Sequence, residues 1–356
     1  LGLVGSEMCI RDRSLCLAHV THTLVEDPLR QHRPRPRGND DPVAGARASL
    51  RTLPGVARAV GGVLAAALFT VALAVQPYWD KRVDSAEKAL DPVNYPGARA
   101  IQGAQVPDVK PQPDPSLIAG VFPPIGLNDC MIFLPEAPDA MPGPDCTYGD
   151  LEAETTIVLA GGSHIEPFIV PLDKLGKEHH FKVATFVRQE CPLVVGGPLN
   201  PANDIVSPEC AEWGENAMQE IINLQPDLLV STSTRPAGHA GDGRVSADYV
   251  PDAYANLWQR LAELGIPFVG LRDNPWMFTP SGEPMDPNLC VVAGHSEHAC
   301  SMAADMVYAP KDPAAYFLDG AYAQWEIDTA GWYCVDGLCP PQIGNVYIYR
   351  DQNHIS

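Results

Sequence analysis

The sequence predicts an α/β fold in which a parallel sheet is covered on both faces by helices. Three observations carry this. Strand-patterned and helix-patterned segments alternate from residue 155 onward, the order of a parallel sheet wound with crossover helices. The first strand breaks sharply at Gly161 and Gly162 before an apolar-periodic segment. Ser163, Arg235, Asp351 and His354 all fall just past predicted strands, and ligands of such sheets bind outside the strands' carboxyl ends.

Apolar and β-branched residues mark a strand over 155–160, and Ile165, Phe168, Ile169 and Leu172 give helical periodicity over 166–175. A strand at 181–186 leads into a loop containing Cys191. Then come a helix over 213–224, a strand over 227–232, a helix over 250–264 and a strand over 267–271. A loop with Cys290, a helix over 297–306 and a last strand over 346–349 complete the domain, which is placed at 126–356.

The turn after the first strand holds the first chemical signal. A serine at a tight strand-to-helix turn is held out of the sheet, beside N–H donors suited to a developing oxyanion. Gly-Gly-Ser after a strand is also an ordinary turn with a helix N-cap. The second signal is NVYIYRDQNHIS at the other end. Asp351 and His354 stand three apart, so their side chains lie on one side of a turn. The imidazole then faces Ser163 as general base while the carboxylate orients it. A solvated polar loop is the bland alternative.

Charge and cysteine placement bound the compartment and the partners. The formal net charge of -20 argues against a nucleic-acid partner, which needs a basic surface. Up to Arg58 there are nine Arg against six acids, whereas the remainder carries 15 basic and 38 acidic residues. Eight of ten cysteines fall as near neighbours: Cys130 and Cys146, Cys191 and Cys210, Cys290 and Cys300, Cys334 and Cys339. Close pairs suggest local disulfides in an oxidising compartment. Zinc is the competing possibility, but no pair has Cys-x-x-Cys spacing.

The N-terminal part has a different character. LGLVGSEMCIRDR at 1–13 resembles translated adapter read-through, with an ordinary disordered terminus as the alternative. A basic, Pro-broken tether spans 31–58. Residues 59–75 carry no charge for 17 positions, about 25 Å of helix against a ~30 Å hydrocarbon core. With Gln76, Tyr78 and Trp79 in the interface, 59–79 is expected to cross the membrane once. Seven Arg against two Asp between Pro28 and Arg58 place that side in the cytoplasm. A signal peptide or a buried soluble helix are the alternatives. Residues 80–125, rich in Pro, Asp and Gln, are expected to be an extended extracellular linker.

Gly-x-Ser-His at 161–164 and Asp-x-x-His at 351–354 resemble the first and last blocks of the SGNH esterase and acyltransferase superfamily. The whole arrangement resembles, more specifically, the C-terminal part of membrane-bound acyltransferase-3 proteins with a fused extracellular SGNH domain. LVEDPLR at 24–30 is similar to the end of the acyltransferase-3 membrane domain, making 14–30 its remnant. The YRDQNH ending at 349–354 and CVDGLCP at 334–340 also match.

The resemblance implies a flavodoxin-like three-layer SGNH domain with Ser163 as nucleophile, His354 as base and Asp351 as its orienter. The Ser163 N–H and a group from the loop after residue 232 would hold the oxyanion, with Gly162, Arg235 and His164 as oxyanion or substrate candidates. It implies O-acyl transfer, in particular O-acetylation, onto a cell-surface polysaccharide or peptidoglycan. No cofactor or metal is bound by the domain itself, and the acyl group of acetyl-CoA arrives through the upstream membrane domain. An extracellular carbohydrate esterase and an inactive glycan-binding module are the alternatives. Three departures stand out: Gly162 replaces the usual Asp before the serine, STSTRPAG occupies the region of the Asn block, and the chain stops two residues after His354 where a closing helix is expected.

Other candidates have structural alternatives. His295 and His298 near Cys300 invite a metal, but no fourth ligand is in view. His179 and His180 fit a solvated helix end. Trp213 and Trp276 are candidates for stacking on a sugar ring, or core residues.

Overall fold

The computed structural model describes residues 55–86, 90–133, 136–196, 206–236 and 247–356. The chain divides into two compact units, Leu1–Asp80 and Lys81–Ser356. The segments read as adapter-like (1–13) and as the acyltransferase-3 remnant (14–30), and most of the basic tether, lie outside the described residues.

The sheet is built from β1 (Met131–Ile132), β2 (Thr147–Gly149), β3 (Thr156–Gly161), β4 (Lys182–Arg188), β5 (Leu228–Thr232), β6 (Phe268–Leu271) and, beyond the short β7 (Met302–Ala303), β8 (Gln324–Ile327). The order is β1-β4-β3-β5-β6-β8. All these pairs are parallel, and β2 runs antiparallel along the other half of β4. From β3 the chain steps outward to β4 and then returns across to β5. The crevice at the carboxyl ends of β3 and β5 is therefore the topological switch point, where open α/β sheets bind ligands.

Side chains alternate along each strand, so neighbours face opposite layers. Val158, Ala160 and Leu229 join one core with residues of α3 (Pro208–Leu224) and α4 (Asp252–Leu264), among them Trp213, Met218, Leu257 and Trp258. Leu159, Val183, Val187 and Val230 join the other, with Ile165 and with Ile169 of α2 (Ile169–His179). The local sequence explains the helix bounds. Ser207 caps α3 by accepting from the Cys210 N–H, with Pro208 at the first position. Gly265, with φ 69°, ends α4.

The disulfides join the four near-neighbour pairs: Cys130–Cys146, Cys191–Cys210, Cys290–Cys300 and Cys334–Cys339. Cys300 is thereby withdrawn from the metal set that His295 and His298 suggested. Trp213 is buried in the core rather than presented to a sugar.

Several expectations need correction. The segment 346–349 does not close the sheet: Val346–Tyr347 forms a small hairpin with Gln342–Ile343. The last parallel strand is β8, which pairs with β6. Its QWEI sequence lacks an apolar run because it lies at the sheet edge, with Trp325 and Ile327 exposed. The helix expected over 297–306 is replaced by two short 3-10 turns around β7, because Met302–Ala303 pairs with Leu338–Cys339.

The linker expected to be extended over 80–125 is docked from residue 90. Gln112 exchanges backbone hydrogen bonds with Asn345 and Tyr347, Asn345 Nδ2 donates to the Asn94 and Pro107 carbonyls, and Leu117, Ile118 and Ile125 are buried.

The segment expected to span the membrane is helical. Residues 59–79 fall within the helix α1 (Gly55–Ala86), where Val63, Leu64, Leu68, Phe69, Val71, Leu73 and Val75 are exposed. Among the described residues, however, no helix is long and apolar enough to cross a membrane. The uncharged run of 17 residues falls short of the hydrocarbon thickness on its own.

Candidate active site

β3 ends at Gly161, whose φ of +146° is rarely adopted by L side chains, and a Cβ there would approach Ser231 Oγ to 3.2 Å. The chain then turns tightly: the Ile165 N–H donates to the Gly162 carbonyl and the Glu166 N–H to that of Ser163. A 3-10 turn, Glu166–Phe168, feeds directly into α2. Ser163 is thus held out of the sheet at the switch point.

The opposite wall is the C-terminal loop. Its anchorage is not a strand of the main sheet but the segment after β6. The Met277 N–H donates to the Gln352 carbonyl at 2.7 Å, Asn274 Nδ2 donates to the Asn353 carbonyl at 2.7 Å, and the Arg350 N–H donates back to the His354 carbonyl. Beneath them a third buried cluster packs Trp276, Met277, Phe278, Met302 and Tyr349.

These two loops meet. Ser163 Oγ lies 2.7 Å from His354 Nε2, and His354 Nδ1 lies 2.8 Å from Asp351 Oδ2. A carboxylate only accepts, so the proton between Asp351 and His354 belongs on Nδ1, leaving Nε2 to accept from the serine hydroxyl. Burial pushes the Asp351 carboxyl up. The hydrogen bonds from the His354 ring and from the Asn353 and His354 N–H groups outweigh it and hold the group well below the ordinary carboxylate range. Asp351 is therefore a fixed negative charge behind the imidazole. The arrangement has the parts to activate a hydroxyl: nucleophile, base and orienter in one line.

Gly162, His164 and Arg235 line the same cleft, of about 460 Å³, with Thr232, Tyr254 and Asn353. The nearest atoms a Cβ on Gly162 would meet are in the Cys191 and Pro192 backbone, at 3.4 Å or more, ordinary contact, so sterics do not demand glycine there. The region of the Asn block is occupied by the end of β5 and residues 233–235. Thr234 Oγ1 accepts from the Asp273 N–H, and Arg235 has its Cζ 5.7 Å from the Trp276 ring and its Nε without a partner among the described residues.

Asp273 carries no signal in the sequence, and Trp276 fits the core alternative rather than the stacking one. Both come after β6, where single residues in coil carry no spacing signal. The rule that chemistry collects past carboxyl ends applies to them as well. Asp273 Oδ1 lies 2.8 Å from His164 Nδ1, and its Oδ2 accepts from Trp276 Nε1 at 3.1 Å. Trp276 is therefore a buried support rather than a free stacking face.

A parallel α/β sheet with a serine at its switch point and an Asp-x-x-His loop over it defines an SGNH-type domain. The chain belongs to the family described as "SGNH domain (fused to AT3 domains)", whose model matches residues 130–356, more than half of the chain. That match does not reach residues 14–30, where the likeness to the membrane domain was placed. No curated protein matches the sequence significantly. Among solved structures, the chain is similar to a Salmonella ser. Paratyphi A lipopolysaccharide acetyltransferase periplasmic domain. The identity is 11%, the TM-score 0.38, and the match covers 58% of this chain and 79% of that one.

Proposed function

We propose that this chain is an O-acyltransferase, in particular an O-acetyltransferase, of cell-surface polysaccharide or peptidoglycan, working through an acyl-enzyme on Ser163. The observation that carries this is the Ser163–His354–Asp351 line at 2.7 and 2.8 Å. Membership in a family fused to acyltransferase domains favours transfer over hydrolysis. Ser163 Oγ attacks the acyl carbonyl while its proton passes to His354 Nε2, and Asp351 stabilises the imidazolium. The leaving group takes that proton as its bond to the acyl carbon breaks. A glycan hydroxyl then attacks the ester, His354 removes the hydroxyl proton, and Ser163 leaves with that proton restored. The Ser163 N–H and Arg235 are the oxyanion donors in this scheme. The acyl group derives from acetyl-CoA, passed on by an upstream acyltransferase-3 membrane domain.

The domain acts outside the cytoplasm, where its four disulfides persist. Attachment to the membrane through 59–79 is part of the proposal, favoured by the exposed apolar side chains of α1 and the seven Arg that precede it.

Incubation of the full-length gene product with an aryl acetate and a glycan acceptor tests this. Acetyl on the glycan supports transfer, release to water alone favours an esterase, and neither reaction favours a binding module. Ser163→Ala is expected to lower turnover roughly 10⁴-fold or more; full activity in that variant defeats the assignment.

A further inference from the structure

His164 and Asp273 form a second imidazole–carboxylate pair in the cleft, outside the Ser163 relay. Asp273 is 5% exposed and is held on all sides. Its Oδ1 accepts from the Asn274 N–H at 2.9 Å and its Oδ2 from Trp276 Nε1, while its N–H donates to Thr234 and its carbonyl accepts from the Tyr308 hydroxyl. The His164 ring is wedged between Trp276 and His354, with centroids 5.0 Å from each, and lies edge-on to His354. A carboxylate on Nδ1 fixes the proton there, so Nε2 carries the ring's remaining lone pair, which has no partner among the described residues, and His164 lines the cleft. A wedged imidazole offering one acceptor next to the reacting centre is a preorganised receptor for a hydroxyl group.

We propose that His164, held by Asp273, is an acceptor-binding residue selecting hydroxyl compounds with a second hydroxyl on the adjacent carbon. His354 takes the proton of the attacking hydroxyl, and His164 Nε2 accepts a hydrogen bond from its neighbour. The two ring centroids are 5.0 Å apart and each imidazole is buttressed by its own carboxylate, a spacing within the combined reach of two hydroxyls on adjacent carbons. The substrate class is then a vicinal diol, as sugar rings and polyols present, and simple alcohols are poor acceptors. An alcohol lacking the second hydroxyl leaves the Nε2 acceptor unpaired and desolvated, which is how polar sites reject such analogues.

This presupposes the Ser163 acyl-enzyme, so the experiment separates the two. The full chain is acetylated with an aryl acetate and offered cyclohexane-1,2-diol or cyclohexanol, and the initial rates of ester formation are compared. The wild type is expected to prefer the diol at least about 10-fold. His164→Phe, which keeps the ring shape, and His164→Asn, which keeps a polar contact with Asp273, are each expected to bring the two acceptors within about 2-fold. Because the readout is a ratio within one protein, a general loss of activity does not imitate it. A wild type that shows no preference, or that esterifies neither alcohol, overturns the proposal, as does a preference that survives in both variants. Absence of any acetyl on Ser163 in the wild type overturns the acyl-enzyme itself.

Discussion

Ser163, His354 and Asp351 meet across 191 residues of sequence, and all three were visible in it. Their signals are local: a glycine break after an apolar strand, and an acid three residues before an imidazole. Asp273 carries no such signal, because its partners His164, Thr234 and Tyr308 are brought to it by tertiary packing. Asp312 is another residue whose character depends on packing. It is 2% exposed, it caps Ala314 through one oxygen, and burial pushes its carboxyl up to about 6. A folded carboxyl raised above the ~3.9 of the unfolded chain keeps its proton longer in the folded state. Stability is then full below pH 4, falls as the pH rises to about 6, and is level beyond, a change on the order of 2–3 kcal/mol. Asp312→Asn is expected to flatten that fall, as read from urea midpoints between pH 4 and 7. An unchanged slope would mean the group is not protonated in the fold.

The elements that carry the two loops of the candidate site are themselves tied together. Glu166 stands three residues after Ser163, and Arg350 one residue before Asp351. The two pair at 3.5 Å with Glu166 fully buried and Arg350 over the Phe122 ring. Burial pushes the Glu166 carboxyl up, and the Arg350 charge opposes this. Arg350→Met removes the opposing charge, so the carboxyl climbs further and stability falls as the pH rises. The expected cost near pH 8 is about 3 kcal/mol, shrinking toward pH 4. Thermal melts across that range check it, and a cost independent of pH would contradict it. Element types were legible where apolar runs were long, as in β3, β5, α3 and α4. They were not where tertiary pairing overrode propensity. VYIY at 346–349 has the composition of a core strand yet forms a hairpin against the docked linker, whereas polar-flanked β8 closes the sheet.

On the scale of the whole molecule, the sheet order brings the Ser163 turn and the segment after β6 to one crevice, and that segment holds the C-terminal loop there, which the alternation of segments could suggest but not specify. Register and strand order come from long-range pairing that no local window contains. The docking of residues 90–125 was hidden for the same reason: a Pro-rich composition looks like a free linker until its few apolar residues, Leu117, Ile118 and Ile125, find a surface. The anchor proposed for 59–79 is a matter for the full chain. Flotation with phospholipid vesicles is expected to carry the protein up the gradient, and substitution of Leu68 and Phe69 by Asp to release it. Sedimentation of the unaltered chain apart from the vesicles would end the anchoring proposal.

The most direct test of the acyl-enzyme is mass analysis of the chain quenched during turnover of an aryl acetate. The expected result is one acetyl group on the peptide carrying Ser163, which is absent in Ser163→Ala and accumulates when the acceptor is withheld. Acetyl on another residue, or turnover with Ser163 unmodified throughout, would contradict it.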